Sequence, residues 1–185
     1  MLQKSEHPVI RTIEVLVELF EEHGAPLVIK SDNGGAFRAA DMRAMLREYL
    51  VLPLYSPPRT PSYNGACESG IGVIKRVATD LCAARDPLAS LEAFLQAAVE
   101  IVDAQPVGRD PNAPSRSEAW QTRKPCSART RRRLHELRDR HERRYRALEG
   151  MDSDAPVSDD EQASLDRCAI RDALCDMNLL HIQMP

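Results

Sequence analysis

The 185 residues suffice for one ordinary domain with appendages, and 43% apolar against 29% charged residues is the balance of a soluble globular chain. A formal net charge of -3 excludes a uniformly basic nucleic-acid binder. Five scattered cysteines without a CxxC pair, a start (MLQKSEHP) without a secretory profile, and no apolar run near the ~20 residues that span a bilayer point to a cytoplasmic protein with no membrane partner.

Along residues 8–22, Ile10, Ile13, Leu16, Val17 and Phe20 recur at helical spacing. Pro8 suits the first turn and Gly24 the position after the last. Pro26 then opens the apolar run Leu27-Val28-Ile29, which reads as a buried parallel strand ending at Lys30-Ser31-Asp32. Asn33-Gly34-Gly35 is a turn. Residues 41–50 form a helix with Met42, Met45, Leu46 and Tyr49 on one side, and residues 51–55 a second strand that Pro53 puts at or near an edge. Strand, helix, strand in this order is a right-handed βαβ unit. Asp32 therefore falls on a carboxyl-end loop, where open α/β sheets put their ligands.

Residues 56–65, SPPRTPSYNG, make a Pro-rich loop before a long helix over 66–84. A second helix over 88–104 carries Leu91, Phe94, Leu95, Ala98 and Ile101 on one face, and Pro106 ends it. A short helical turn over 117–122 surrounds Trp120, which is expected to pack the core. Composition then shifts. Between Arg123 and Arg146 eleven Arg and Lys face three acids, Glu136, Asp139 and Glu142. An acidic spacer over 151–162 and a final helix over 163–180 close the chain.

The chemistry is carried by two acids. Asp32 follows the buried strand, Glu68 lies in the first turn of the 66–84 helix with 35 residues between them, and Lys75 comes seven residues later on the same face. Singly, Asp32 reads as a turn residue and Glu68 as a partner of the helix dipole. Jointly they read as a pair that resists ionising together unless a cation intervenes. Mg²⁺ takes such hard oxygen ligands, and two ions about 4 Å apart serve phosphodiester chemistry. Lys75 and Arg76 would then face a substrate phosphate.

The stretches PLVIKSDNGGAF and LYSPPRTPSYNGACESGIGVIKR resemble the DDE-type integrase core shared by retroviral integrases and bacterial insertion-sequence transposases. PNAPSRSEAWQTRKP is similar to the motif that closes the core in the bacterial branch. The resemblance covers residues 8–125 and implies an α/β, RNase H-like fold, Mg²⁺ or Mn²⁺ as cofactor, DNA as partner, a homo-oligomer, and a place in the bacterial cytoplasm on the nucleoid. Asp32 and Glu68 match the second and third catalytic, metal-binding acids, and Lys75 the DNA-contacting base. The tail CAIRDALCDMNLLHIQMP also resembles some of these transposases, in which a helix leads into a short hydrophobic strand.

One departure qualifies what the resemblance implies. The family's first Asp lies on an upstream strand, and the seven residues before Pro8 contain no Asp. The expectation is a partial core lacking the first three strands, with an unpaired sheet edge and impaired strand transfer. The segments expected are a partial catalytic core over 1–125, a basic helical segment over 126–150, an acidic linker over 151–162 and a C-terminal helical segment over 163–185. The alternative is a non-catalytic DNA-binding or regulatory remnant of a transposase.

Arg59, Tyr63 and Asn64 in the Pro-rich loop suit phosphate and base-edge contacts. The basic segment suits salt-dependent phosphate contacts or, equally, a solvated helix face. A zinc site of His135, His141, Cys168 and Cys175 lacks a knuckle turn, and the cysteines read better as helping to bury their helix. His7 and His23 fall at helix ends.

Overall fold

A computed structural model describes residues 8–84, 90–108, 110–152 and 155–181. They form two compact units, one of Met1–Thr60 with Pro125–Pro185 and one of Pro61–Lys124. In the first unit, described residues of 8–60 pack with helical segments from beyond residue 125.

In the first unit, helix α1 spans Pro8–His23 and strand β1 Val28–Ser31. Helix α2 is a single turn over Gly35–Arg38, α3 covers Ala40–Glu48, and β2 covers Leu52–Tyr55. The two strands run parallel, with Val28 opposite Leu52 and Ser31 opposite Tyr55. This is the βαβ unit expected from the sequence, and it is the whole sheet among the described residues. Pro53 sits opposite Ile29 on a strand with a neighbour on one side only, so its missing N–H breaks no ladder.

The periodic apolar positions of α1 and α3 meet beside the sheet. Phe20, Met42, Met45, Leu46 and Val51 are buried together, with Ile13, Leu16, Val17 and Tyr49 packed around them. Phe20 and Tyr49 meet edge to face with ring centroids 5.2 Å apart. A second cluster joins Leu52 to Leu134, Leu137, Ile170 and Ala173, with Leu27, Val28 and Leu54 at its margin. Its far side comes from α7, Ala128–Leu148, and α8, Asp159–Asp176. Each fully buried aliphatic side chain here contributes roughly 1.5–3 kcal/mol of transfer free energy. The hairpin of α7 and α8 is therefore part of the core that holds the strands.

Helix starts follow local capping. Ser127 caps α7 by accepting from the Thr130 N–H at 3.1 Å. Ser158 caps α8, and Glu161 reaches back to its backbone N–H at 2.9 Å, a complete capping box. Asp159, Asp160 and Glu161, expected in the acidic spacer, are thus the first turn of α8, where their charge favours the helix dipole. The Glu161 carboxylate accepts from the Ser158 N–H and from Ser158 Oγ at 2.7 Å, and these two bonds, the backbone one first, hold its carboxyl below its ordinary range.

The basic segment also differs from a uniformly exposed helix. Arg131 is buried and donates to the carbonyls of Pro26, at 2.6 Å, and Ala25. Arg146 is buried and donates to Glu142 at 3.1 Å, to the Ala155 carbonyl at 2.9 Å and to Gln162 at 2.8 Å. Arg138 bonds Glu142 at 2.6 Å. Desolvation raises the Glu142 pKa, but hydrogen bonds from Gln162, Arg138 and Arg146 outweigh it and bring the net shift down.

In the second unit a 3₁₀ turn, Pro61–Asn64, leads into α4, Gly65–Ala84. Helix α5 covers Leu91–Asp103 and α6 Arg116–Thr122. The expected start of α5 near residue 88 lies outside the described residues, and the helix is capped by Ser90, which accepts from the Ala93 N–H at 3.2 Å. The closing motif is pinned to α5: Arg116 donates to the Val102 carbonyl at 2.8 Å, and Pro106 bridges Ser115. Trp120 corrects the expectation of a core residue. It is 50% exposed, with the Arg123 guanidinium stacked 3.3 Å from its ring centroid, because the seven-residue α6 buries none of its side chains. The end of the expected C-terminal strand, residues 182–185, and His7 lie outside the described residues.

Candidate active site

The carboxyl end of β1 is organised by short polar contacts. Asp32 is exposed just beyond the strand, and its Oδ1 accepts from the Gly34 N–H at 2.9 Å, closing a tight turn on its own backbone. A Cβ at Gly34 would lie 2.9 Å from that oxygen, so only glycine leaves the carboxylate in place. Ser31 is buried and donates through Oγ to the Asp32 carbonyl at 3.0 Å.

Neighbours fix the turn from the side. Asn33 donates through Nδ2 to the Ser56 carbonyl at 2.9 Å, and Ser56 Oγ donates to the Ser31 carbonyl at 2.9 Å. The strand ends are therefore clasped in both directions. Arg38, one turn into α2, donates to Asn33 Oδ1 at 3.2 and 2.7 Å, stacks 4.9 Å from the Tyr55 ring centroid, and reaches Asp160 at 3.4 Å. Tyr55 donates its hydroxyl to the Phe37 carbonyl at 3.0 Å. Burial, offset in part by Arg43 and Arg38, pushes the Tyr55 phenol up from its ordinary 10.0. Sequence reasoning singled out Asp32 and missed Asn33, Arg38 and Ser56. The Asn-Gly pair signals a turn, and nothing local signals its partner 23 residues on.

Glu68 belongs to the other unit. It is exposed in the first turn of α4, where the positive end of the helix favours a carboxylate. Lys75 and Arg76 are exposed further along the same helix. Seven residues put Lys75 about 10 Å up the axis from Glu68 on nearly the same face. Tyr63 and Asn64 are half-buried in the 3₁₀ turn that delivers the chain into α4. Arg59 is exposed in the first unit at φ 58°, the left-handed region, on the Pro-rich connection. The sequence-expected residues therefore form two groups. Asp32 and Arg59 stand on one unit; Tyr63, Asn64, Glu68, Lys75 and Arg76 stand on the other.

Both acids offer hard oxygen donors, and Oδ2 of Asp32 accepts no hydrogen bond among the described residues, so the donor type fits a divalent cation. No group of three or more His, Cys, Asp or Glu able to hold a metal occurs among those residues. The zinc reading finds other partners instead. His141 Nε2 lies 2.9 Å from Asp176 Oδ2, and His135 Nε2 3.3 Å from the Leu50 carbonyl.

Comparison with solved structures decides what this frame resembles. The chain superposes on a chain of the simian T-cell lymphotropic virus intasome in complex with PP2A regulatory subunit B56 gamma with a TM-score of 0.56 and 17% identity, covering 67% of this chain and 44% of that one. It superposes on the BIV integrase catalytic core with a TM-score of 0.50 and 17% identity, covering 63% and 73%. The fold is integrase-like. This chain spans less than half the length of the intasome chain it matches. The HTLV-2 integrase core solved with magnesium is a weaker likeness, with a TM-score of 0.49 and 20% identity. No protein-family model and no curated protein matches the sequence. The integrase-like frame sets the two parallel strands of the first unit beside a small set of helices, a partial core of the kind expected from the sequence.

Proposed function

We propose that the chain belongs to a DNA-integrating phosphoryl transferase of the integrase and transposase kind, in which Asp32 and Glu68 are metal-binding carboxylates. One observation carries the reading: in an integrase-like fold, Asp32 hangs on a glycine-dependent turn at the carboxyl end of a parallel strand, with one carboxylate oxygen left open. Asp32 on the first unit and Glu68 on the second would each offer a carboxylate ligand to Mg²⁺ or Mn²⁺. The chemistry that such ions supply when bound is activation of the attacking hydroxyl and stabilisation of the leaving oxygen. The chain's own side chains would do the rest. Asn33, Arg38 and Ser56 hold the Asp32 turn, Lys75 and Arg76 neutralise a DNA phosphate, and Arg59, Tyr63 and Asn64 steady the strand beside it.

Asp32 and Glu68 match two of the acids that the resemblance implies. The second reading is a non-catalytic DNA-binding product that acts through mixed homo-oligomers.

Calorimetric titration with Mn²⁺ tests the site. The expected result is binding by the full chain that weakens at least about tenfold in Asp32→Asn and in Glu68→Gln, the scale of losing one ligand interaction of about 1.4 kcal/mol. Unchanged Mn²⁺ binding in both variants would overturn the proposal. A strand-transfer assay on duplex DNA then separates the readings, since activity abolished by Asp32→Asn belongs to the enzyme and DNA binding without activity to the regulatory product.

A further inference from the structure

Helix α7 sorts its arginines into two sets. Arg131, Arg138 and Arg146 turn inward to carbonyls and carboxylates of the first unit. Arg129, Arg132, Arg133, Arg140, Arg143 and Arg144 are exposed. At about 100° per residue these six fall within an arc of roughly 120°, over about 22 Å of helix axis. Glu136 is the acid within that arc, and it pairs with Arg133 at 3.6 Å. Asp139, at the margin, lies 3.3 Å from Arg138. The remaining five arginines have no ion-pair partner among the described residues. A chain of net charge -3 thus concentrates positive charge along one strip.

We propose that this strip is a docking surface for the phosphate backbone of duplex DNA. It uses residues that play no part in the Asp32 and Glu68 reading, and it stands or falls independently of that reading. Three observations select the occupant. First, the strip is pre-set. Leu134 and Leu137 are buried beneath it, and Arg131 ties the helix to the Ala25 and Pro26 carbonyls, so the helix does not rotate and little ordering entropy is lost on binding. Second, it lacks an apolar anchor. Leu148 is 71% exposed but lies off the arc, and a protein partner draws most of its affinity from buried apolar or aromatic anchors. Third, it lacks a stacking platform. The aromatic of α7, Tyr145, points to α8 and donates to Asp172 at 2.5 Å, whereas single strands are held by bases stacked on aromatic rings. What the strip offers is guanidinium charge in a row. That suits a duplex carrying one negative charge per about 1.7 Å of axis.

The test uses the full chain and a fluorescein-labelled 24-base-pair duplex, followed by anisotropy between 50 and 200 mM KCl. If four of these arginines contact phosphate, binding weakens about 100-fold across that range, and the combined variant R132Q/R140Q/R143Q/R144Q lowers the log–log salt slope by about 3.6. The matching four-lysine variant keeps the slope, which shows that charge at these positions matters and that the variants fold. The anisotropy is read without divalent cation, so a failed metal site leaves this result untouched. The proposal is overturned if the glutamine variant keeps the parent affinity and slope, if the parent does not bind the duplex, or if polyglutamate or the single strand binds in its place.

Discussion

Asn33 and Ser56 clasp the carboxyl ends of β1 and β2, the Asn33 amide donating to the Ser56 carbonyl at 2.9 Å while Ser56 Oγ donates to the carbonyl of Ser31, the residue two before Asn33 in the chain. Asn33→Ala removes the amide and leaves Arg38 only its longer contact to Asp160, which should cost about 1–2 kcal/mol. For a chain of this size each kcal/mol lowers the Tm by about 2–4 °C. Asn33→Asp keeps the acceptor for Arg38 but sets a carboxylate against the Ser56 carbonyl, so it should fail to rescue. Thermal unfolding by circular dichroism reads both variants, and a melting curve unchanged in Asn33→Ala would show that the clasp contributes nothing.

Gly34 and Gly35 look interchangeable in sequence and are not. A Cβ on Gly34 meets Asp32 Oδ1 at 2.9 Å, whereas one on Gly35 meets nothing within 4 Å. Gly34→Ala should therefore push the Asp32 carboxylate off its turn and reduce Mn²⁺ affinity several-fold, with stability changed by less than about 1 kcal/mol. Gly35→Ala should bind Mn²⁺ as the parent does. Equal affinities in the two variants would count against the turn as the device that aims Asp32.

Arg131 and Arg132 are neighbours with opposite environments. Arg131→Ala strips the Ala25 and Pro26 carbonyls of a charged donor inside the unit and should cost about 2–4 kcal/mol. Arg132→Ala acts on an exposed side chain and should stay within about 0.5 kcal/mol. Urea denaturation separates them. Comparable midpoints would mean that the buried guanidinium is replaceable by water.

The acid Asp166 makes a pH prediction. Burial, offset in part by Arg138 and reinforced by Glu142, raises its pKa above the ordinary 3.8. A carboxyl with a raised folded pKa binds more protons folded than unfolded, so stability falls as pH rises through the folded value. The penalty is present above the folded value and absent well below 3.8, where the group is protonated in both states. Asp166→Asn should therefore raise the Tm at pH 7, and the gain should vanish near pH 3. A gain that persists at pH 3 would assign the effect to packing.

Much of the frame was legible because it rests on local pattern. The spacing from Ile10 to Phe20, the run Leu27-Val28-Ile29 and the Met42–Met45–Leu46 face each name their element before any tertiary contact is known. Two helix starts were readable and passed over: Ser115 with Glu118 and Ser158 with Glu161 each spell a capping box. The one-turn α2 was not readable, since Gly34-Gly35 disfavours a helix that the Arg38 contacts to Asn33 and Asp160 hold in place. Nor was the sorting of the α7 arginines. Arg131 differs from Arg132 only by a partner 105 residues earlier in the chain.

The first unit is built from two distant stretches of chain, which has a consequence during synthesis. Leu52, on β2, is covered by Leu134, Leu137 and Ile170, so the strand leaves the ribosome long before its cover exists. At about 5–20 residues per second, the wait for Ile170 lasts on the order of ten seconds. Through that interval the nascent chain carries β2 with one apolar face bare, and a ribosome stalled before α8 would release a polypeptide whose second core cluster is unfinished.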